Sequence, residues 1–183
     1  MTNSRILPIL ALGLVALAAS PATASAVTQD RPAPGAGAGV GRQIAEVRKA
    51  TARFHSVEVA RKAGYRAAGA CAQDPEGTGA MGYHYAHPRL SADPAIDLRR
   101  PELLLYERRA GRLRLIGVEY YRTDADQDPG TDTDRPRLFG RAFDGPMAGH
   151  EPGQPVHYDL HAWVWKRNPA GTFAQWNRRV SCP

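Results

Sequence analysis

The stretch 102–122, ELLLYERRAGRLRLIGVEYYR, restricts the fold of this 183-residue chain more than any other part of it. Apolar and polar residues alternate on both sides of the sequence RAG at 109–111, which is the pattern of two half-buried strands joined by a tight turn. After the turn, Leu115 and Ile116 are both apolar, so the apolar residues change parity between them. Such a change indicates a β-bulge. The stretch therefore predicts an antiparallel hairpin with a bulge between Leu115 and Ile116.

The segment before the hairpin has helical spacing. Apolar or small side chains recur at steps of three and four residues, at Ile44, Val47, Thr51 and Phe54. Ser56 can cap a second short helix that runs to Ala63, and Gly64 is a typical stop. Together with strands expected at 81–87 and 157–165, this predicts an α+β fold, in which an N-terminal helical region packs on a twisted antiparallel sheet of about four or five strands. A small β-barrel with an attached helix is the alternative.

The N-terminal residues have the features of an export signal. Arg5 precedes an apolar run at 6–19, and the small residues at 24–26 form a typical signal-peptidase site. We therefore expect a signal peptide at 1–26, a flexible Pro/Gly/Ala leader at 27–41 and a single globular domain at 42–183. No later segment approaches the ~20 apolar residues that a transmembrane helix needs. The predicted location is secreted or periplasmic.

Only two cysteines occur, Cys71 and Cys182, and both lie in the part that would be exported. In an oxidising compartment they have one intramolecular pairing, so we predict a disulfide bond between them. A metal or redox site is less favoured because no Cys-x-x-Cys spacing is present.

The net charge of +6 rests on 21 arginines and 3 lysines and raises the question of nucleic-acid binding. The basic residues at 42–66 cluster, but they are not regularly interleaved with aromatic side chains that could stack on bases. Nucleic acid is therefore not favoured as a partner. A small ligand or another exported protein is expected instead, without an identity.

The C-terminal stretch 157–166, HYDLHAWVWK, predicts a strand with one unusual face. Alternation puts Tyr158, Leu160, Ala162 and Val164 on an apolar face toward the core. The other face carries His157, Asp159, His161, Trp163 and Trp165. On a strand, His157 and His161 are roughly 13 Å apart, too far to share one zinc ion.

A metal site on this face therefore needs ligands from other strands. We expect His84, in GYHY, to join Asp159 and His161, with Glu119, in GVEYY, nearby. Two histidines and one carboxylate from neighbouring strands can bind a divalent metal. The favoured alternative is that Asp159 accepts a hydrogen bond from one histidine and no metal binds. In either case we predict one pocket, roofed by Trp163 or tyrosines.

Other histidines and other chemistry are weaker candidates. His150 and His87 lie in predicted loops, and His55 lies at a helix junction. The few serines lack a nucleophile context. The acidic segment 124–132 resembles a calcium loop, but Pro129 stands where that loop requires glycine, so a flexible acidic loop is favoured.

Several motifs of the C-terminal two-thirds look familiar, namely RPELLLYE, GVEYY, DRPRLFGRAFDGPM, GHEPGQPVHYDLHAWVWKRNPAGTFAQWN and VSC. They resemble a group of small exported bacterial proteins of uncharacterised function. The resemblance implies a single secreted domain and brings no activity, cofactor or substrate. We thus expect a ligand- or partner-binding domain whose site uses His84, Glu119, His157, Asp159, His161 and Trp163. The alternative is a divalent-metal-dependent enzyme with a two-His-one-carboxylate site.

Overall fold

The computed structural model describes residues 36–150 and 153–183. The predicted signal peptide at 1–26 lies outside this part of the chain. Helix α1 (Ala36–Thr51) is followed by a short 3-10 helix (Ala52–His55) and by α2 (Val57–Lys62). A one-turn helix, α3 (Pro88–Ser91), interrupts the strands that follow.

Six strands form one curled antiparallel sheet, a half-barrel on which α1 packs. In spatial order they are β1 (Arg66–Gln73), β2 (Ala80–Ala86), β3 (Leu103–Arg109), β4 (Arg112–Thr123), β8 (His157–Ala162) and β7 (Asp144–Met147). Two further short strands, β5 (Arg137–Leu138) and β6 (Arg141–Ala142), pair with each other. The predicted α+β fold is confirmed, and the half-barrel lies between the open sheet and the closed barrel of the alternative.

The main hydrophobic core lies between α1 and the convex face of the sheet. The predicted helical stripe is buried there, with Ile44, Val47 and Phe54 in the core and Thr51 fully covered. The apolar residues of β8, Tyr158, Leu160 and Ala162, meet them from the sheet. Burial of these side chains stabilises the helix against the sheet, because a short helix is marginal by itself.

The predicted hairpin and its bulge are both present. Ala110 and Gly111 have positive φ values of 47° and 73°, as the tight turn between β3 and β4 requires. The pairing of β3 with β4 shifts at Ile116, because Leu105 pairs with Gly117 and Tyr106 pairs with Leu115. From this bulge onward, Gly117, Glu119 and Tyr121 occupy the concave face.

The C-terminal strand is shorter than predicted. It ends at Ala162, where the amide of Val164 donates to the carbonyl of Ala162 over 2.9 Å and turns the chain. Trp165 consequently packs on the main core and donates from Nε1 to Thr51 Oγ1 (3.1 Å), so its predicted place beside His161 was wrong. The polar face of the strand is also fully covered: His157 is 1% exposed, as buried as Leu160, although it lies outside the main core.

Two boundaries differ from the prediction. Helix α1 begins at Ala36, inside the segment expected to be a flexible leader; the alanines there favour the helix, although the glycines between them do not. The sheet gains β1, an Ala-rich strand without apolar alternation, and β7, which lies between the acidic segment and the predicted C-terminal strand. Both are edge strands, where the packing that produces a sequence pattern is incomplete.

The predicted disulfide joins Cys71 in β1 to Cys182, with the two Cα atoms 5.7 Å apart. A disulfide is consistent with a location outside the cytoplasm. Within residues 36–150 and 153–183, the helices are all too short or too polar to cross a membrane.

Candidate functional site: a histidine–carboxylate wall in the cavity of the sheet

The concave face of the sheet, opposite α1, encloses a cavity of about 900 Å³. Small and apolar residues form most of its lining, among them Ala68, Ala72, Met81, Leu103 and Trp176. One wall is polar and is built by the second face of β8 together with neighbouring strands; we call it the histidine–carboxylate wall, and its residues are His84, Glu119, His150, His157, Asp159 and His161. Five of them line the cavity, whereas His161 is fully buried and does not belong to the lining.

The register of β4 and β8 explains why this wall exists. Glu119 pairs directly with His161, and the next pair on the same face is Tyr121 with Asp159. His84 comes from β2, with β3 lying between it and Glu119. The curl of the sheet brings the three strands together on its concave side.

The first group of donors is His84, Glu119 and His161. Glu119 Oε2 lies 3.2 Å from His84 Nε2 and 3.6 Å from His161 Nε2. His161 and Glu119 are buried, while the side chain of His84 is 14% exposed and borders the cavity. One donor atom of each residue lies within 4.8 Å of the others, near the ~4 Å that separates two atoms bonded to the same zinc ion.

The second group is His150, His157 and Asp159, whose donor atoms also lie within 4.8 Å of one another. His157 and Asp159 are buried on β8, and His150 is exposed on the loop before it. The structure thus corrects the predicted metal group. Glu119 supplies the carboxylate of the first group, while Asp159 belongs to the second.

His161 lies between the two groups. Its Nε2 faces Glu119, and its Nδ1 lies 3.7 Å from Asp159 Oδ1. This distance is too long for the hydrogen bond between Asp159 and a histidine that the favoured alternative expected. His157 and His161 do not share a group, as the strand geometry predicted.

Four buried atoms of the wall make no well-aligned hydrogen bond among the described residues: Asp159 Oδ1, both ring nitrogens of His161, and Glu119 Oε2, whose 3.2 Å contact with His84 Nε2 is an ion pair. Most buried polar side-chain atoms in proteins have a hydrogen-bond partner, supplied by protein or ordered water. Leaving one unpaired costs about 1–3 kcal/mol. Their concentration in one wall indicates a site that binds an additional species.

Burial is the main influence on the ionisation of the first group. It lowers the pKa of His161 and so favours the neutral imidazole. Burial alone would raise the pKa of Glu119, but the adjacent His161 and His84 outweigh it and lower that pKa. Together these directions favour an ionised Glu119 beside a neutral His161.

The second group has related electrostatics. Burial lowers the pKa of His157. Burial, with the charges of Glu119 and Asp144, raises the pKa of Asp159 to about 8. The charge of Asp159 is therefore poorly compensated by the protein alone.

The sequence-based prediction placed Trp163 wrongly and gave too little weight to His150. Trp163 lies outside the cavity lining; its ring stacks beside His161 at 6.5 Å between centroids, and its Nε1 donates to Ala174. Tyr121 and Trp176 line the cavity instead. His150 reaches the wall because β7 returns its loop to the start of β8, and only recognition of β7 could have indicated this.

Comparisons with protein-family models, curated proteins and solved structures give no match for this chain. The resemblance of its C-terminal motifs to small exported proteins stays a prediction. The site has to be interpreted from its own geometry.

Proposed function

We propose that the protein binds a small, mainly apolar ligand in the cavity, and that a divalent transition-metal ion held by His84, Glu119 and His161 forms the polar end of this binding site. The observation that carries the proposal is the convergence of unpartnered buried donor atoms on one wall of a large, otherwise apolar cavity.

The size and lining of the cavity support a ligand of small-molecule size. Sites for such ligands measure about 300–1,000 Å³ and combine apolar walls with a few polar groups. Here the apolar lining comes from β1 and from Met81, Leu103 and Trp176, and the histidines and carboxylates of the lining belong to the histidine–carboxylate wall. A ligand with an apolar body and a single polar or anionic end matches this division.

The donor set supports a transition metal over calcium or magnesium. Two imidazoles and one carboxylate suit Zn, Fe, Ni or Cu, whereas Mg and Ca prefer oxygen ligands alone. Metal binding also needs a neutral imidazole and an ionised carboxylate, which are the forms favoured at His161 and Glu119. Three protein ligands would leave coordination positions open toward the cavity.

The disulfide supports action outside the cytoplasm. Cys71 and Cys182 are bonded, and such bonds persist mainly in oxidising compartments. We infer that the protein is secreted or periplasmic and that its ligand is met there. Sequencing the N-terminus of the protein recovered from the culture medium or periplasm tests this, and an N-terminus at Val27 is expected.

The ligand-binding part is tested with the fluorescent probe anilinonaphthalene sulfonate. Ala68 lines the cavity, whereas its neighbour Ala67 does not, so Ala68→Phe and Ala67→Phe form a matched pair. Saturable binding by the native protein should weaken about tenfold or more, over ~1.4 kcal/mol, in Ala68→Phe and stay unchanged in Ala67→Phe. Equal affinity for all three proteins, confirmed as folded by circular dichroism, would contradict a binding cavity.

The metal part is tested on tag-free protein that has been stripped with a chelator and equilibrated with zinc. Elemental analysis should show that His84→Ala and Glu119→Gln each remove one zinc ion per chain. His55→Ala is the matched control, because His55 is exposed and its ring meets Trp165 edge-on, outside the cavity lining. Zinc contents that are equal in all four proteins would contradict the site.

A second candidate function is catalysis by the same ion. The observation that favours it is the opening of the first group to the cavity through His84, which lets water and a ligand reach an ion there. A bound metal can activate such a water as a nucleophile. Zinc-loaded protein is then expected to hydrolyse an activated ester, p-nitrophenyl acetate, faster than His161→Ala; equal rates would leave binding as the function.

A further inference from the structure

We propose that the same cavity has a second transition-metal site, formed by His150, His157 and Asp159, so that two cations lie along strand β8. This inference goes beyond the proposed function, which requires only the first group. It rests on different residues and can be true or false independently.

His157 has the orientation of a metal ligand. Its Nδ1 lies 3.0 Å from the carbonyl oxygen of Pro155, which can only accept, so Nδ1 carries the proton and donates. Nε2 is then left with a free lone pair. A metal-bound histidine usually donates its other ring N–H to a carbonyl or carboxylate, which fixes the ring. The ring is also held by stacking on Tyr121, with centroids 4.9 Å apart and planes 28° apart.

Asp159 supplies a second buried donor to this group, a carboxyl group. The residue is 2% exposed, and its Oδ1 has no hydrogen-bond partner among the described residues. It lies opposite Tyr121 on β4 and next but one to His157 on β8, so its position is set by two strands. A buried carboxylate oxygen with no partner is costly unless it is paired or coordinates a metal.

His150 completes the group from the exposed side. Its ring meets that of His157 edge-on, with the centroids 5.4 Å apart. The amide of His150 donates to Gln154 Oε1 over 2.9 Å, which holds the loop near the start of β8. Because His150 is exposed while His157 and Asp159 are buried, an ion can enter the group from the side of His150.

The two sites would be linked through His161. Its two nitrogens face Glu119 of the first group and Asp159 of the second. The donors of β8 stand at 157, 159 and 161, which alternation places on one face. Each group offers two imidazoles and one carboxylate, so both would take the same class of cation, a divalent transition metal such as zinc.

The experiment measures zinc stoichiometry on tag-free, chelator-stripped protein by calorimetric titration and elemental analysis. Native protein should bind two zinc ions per chain. His150→Ala and Asp159→Asn should each bind one, His84→Ala should bind one, and the double variant His84→Ala/His150→Ala should bind none. Replacement of the exposed His150 leaves the buried residues unchanged, so loss of zinc by this variant does not reflect unfolding. His55→Ala should keep both ions.

The outcomes separate the two sites. One zinc ion that is lost in His84→Ala but kept in His150→Ala and Asp159→Asn would overturn the second site and leave the first. One zinc ion with the opposite sensitivity would support the second site and overturn the first. Native protein that binds no zinc would overturn both.

Discussion

The Nε2 atom of His84 lies 3.2 Å from Oε2 of Glu119, although β3 lies between their strands. On a flat sheet, strands two positions apart are about 9.5 Å from each other, since neighbours lie ~4.7–4.9 Å apart. The two side chains meet because the sheet curls and both occupy its concave face. The proposed metal site therefore depends on the curvature of the sheet as well as on the ligands.

Backbone geometry near His84 should be sensitive to a single methyl group. Gly82 has a φ of 91°, and a Cβ there would lie 2.4 Å from the carbonyl oxygen of Tyr106. We expect Gly82→Ala to lower the free energy of unfolding by more than ~2 kcal/mol, measured by urea denaturation. Gly39→Ala in α1 is the control, because a Cβ there meets nothing within 4 Å; it should stabilise the protein, and a similar loss in both would contradict the argument.

The disulfide should contribute strongly to stability. Cys71 and Cys182 are 111 residues apart in sequence, and closing a loop of that size stabilises a fold by up to about 4–5 kcal/mol on the chain-entropy model. Cys71→Ser/Cys182→Ser, or reduction of the native protein, should lower the melting temperature markedly. Thiol labelling of the native protein should find no free cysteine; two reactive thiols would refute the bond.

Much of the fold could be predicted because its signals are local. The stripe of Ile44, Val47 and Phe54, the turn at Gly111 and the parity change at Ile116 each follow from neighbouring residues. The face shared by Asp159 and His161 follows from alternation alone. Strands β1 and β7 could not be predicted, because they lie at the edges and one is mostly alanine and glycine.

The site could be predicted only in part, because its grouping depends on strand order and register. From the sequence we predicted that His84, Glu119, Asp159 and His161 lie on one wall of a pocket. The sequence could not show that Glu119 lies opposite His161 and therefore belongs to the first group. Nor could it show that the loop before β8 places His150 beside His157. The turn after Ala162, which moves Trp165 to the other face, also has no local signal.

Stability should depend on pH through Glu102, which is 1% exposed and accepts a hydrogen bond from the amide of Tyr121. Burial raises the pKa of Glu102 to about 8 from an ordinary 4.5. The folded state therefore holds a proton that the unfolded chain loses at lower pH. The stabilisation is full below about pH 4.5 and is lost as the pH rises through about 8.

This loss can be measured by urea denaturation of metal-free protein at pH 5 and pH 9. The native protein should lose a few kcal/mol between them, since one pKa unit corresponds to ~1.4 kcal/mol. Glu102→Gln should lose clearly less. The same pH dependence in both proteins would show that Glu102 does not titrate as described.

Asp159→Asn should have opposite effects on the metal-free and zinc-loaded protein. Without metal, removal of a buried carboxylate with an unpartnered oxygen should stabilise the fold by about 1–3 kcal/mol near pH 9. With zinc, the rise in melting temperature should be smaller than in the native protein, because a ligand is lost. Thermal melts with zinc and with chelator measure both effects, and a destabilised metal-free variant would argue against an uncompensated charge.

Metal binding by the histidine–carboxylate wall is tested most directly by anomalous diffraction from crystals of tag-free protein grown with zinc. An anomalous peak is expected on the cavity wall, about 2.0–2.2 Å from Nε2 of His84, Nε2 of His161 and one carboxylate oxygen of Glu119. A fully occupied crystal in which zinc lies only on exposed histidines such as His55, with none at Glu119, would contradict it.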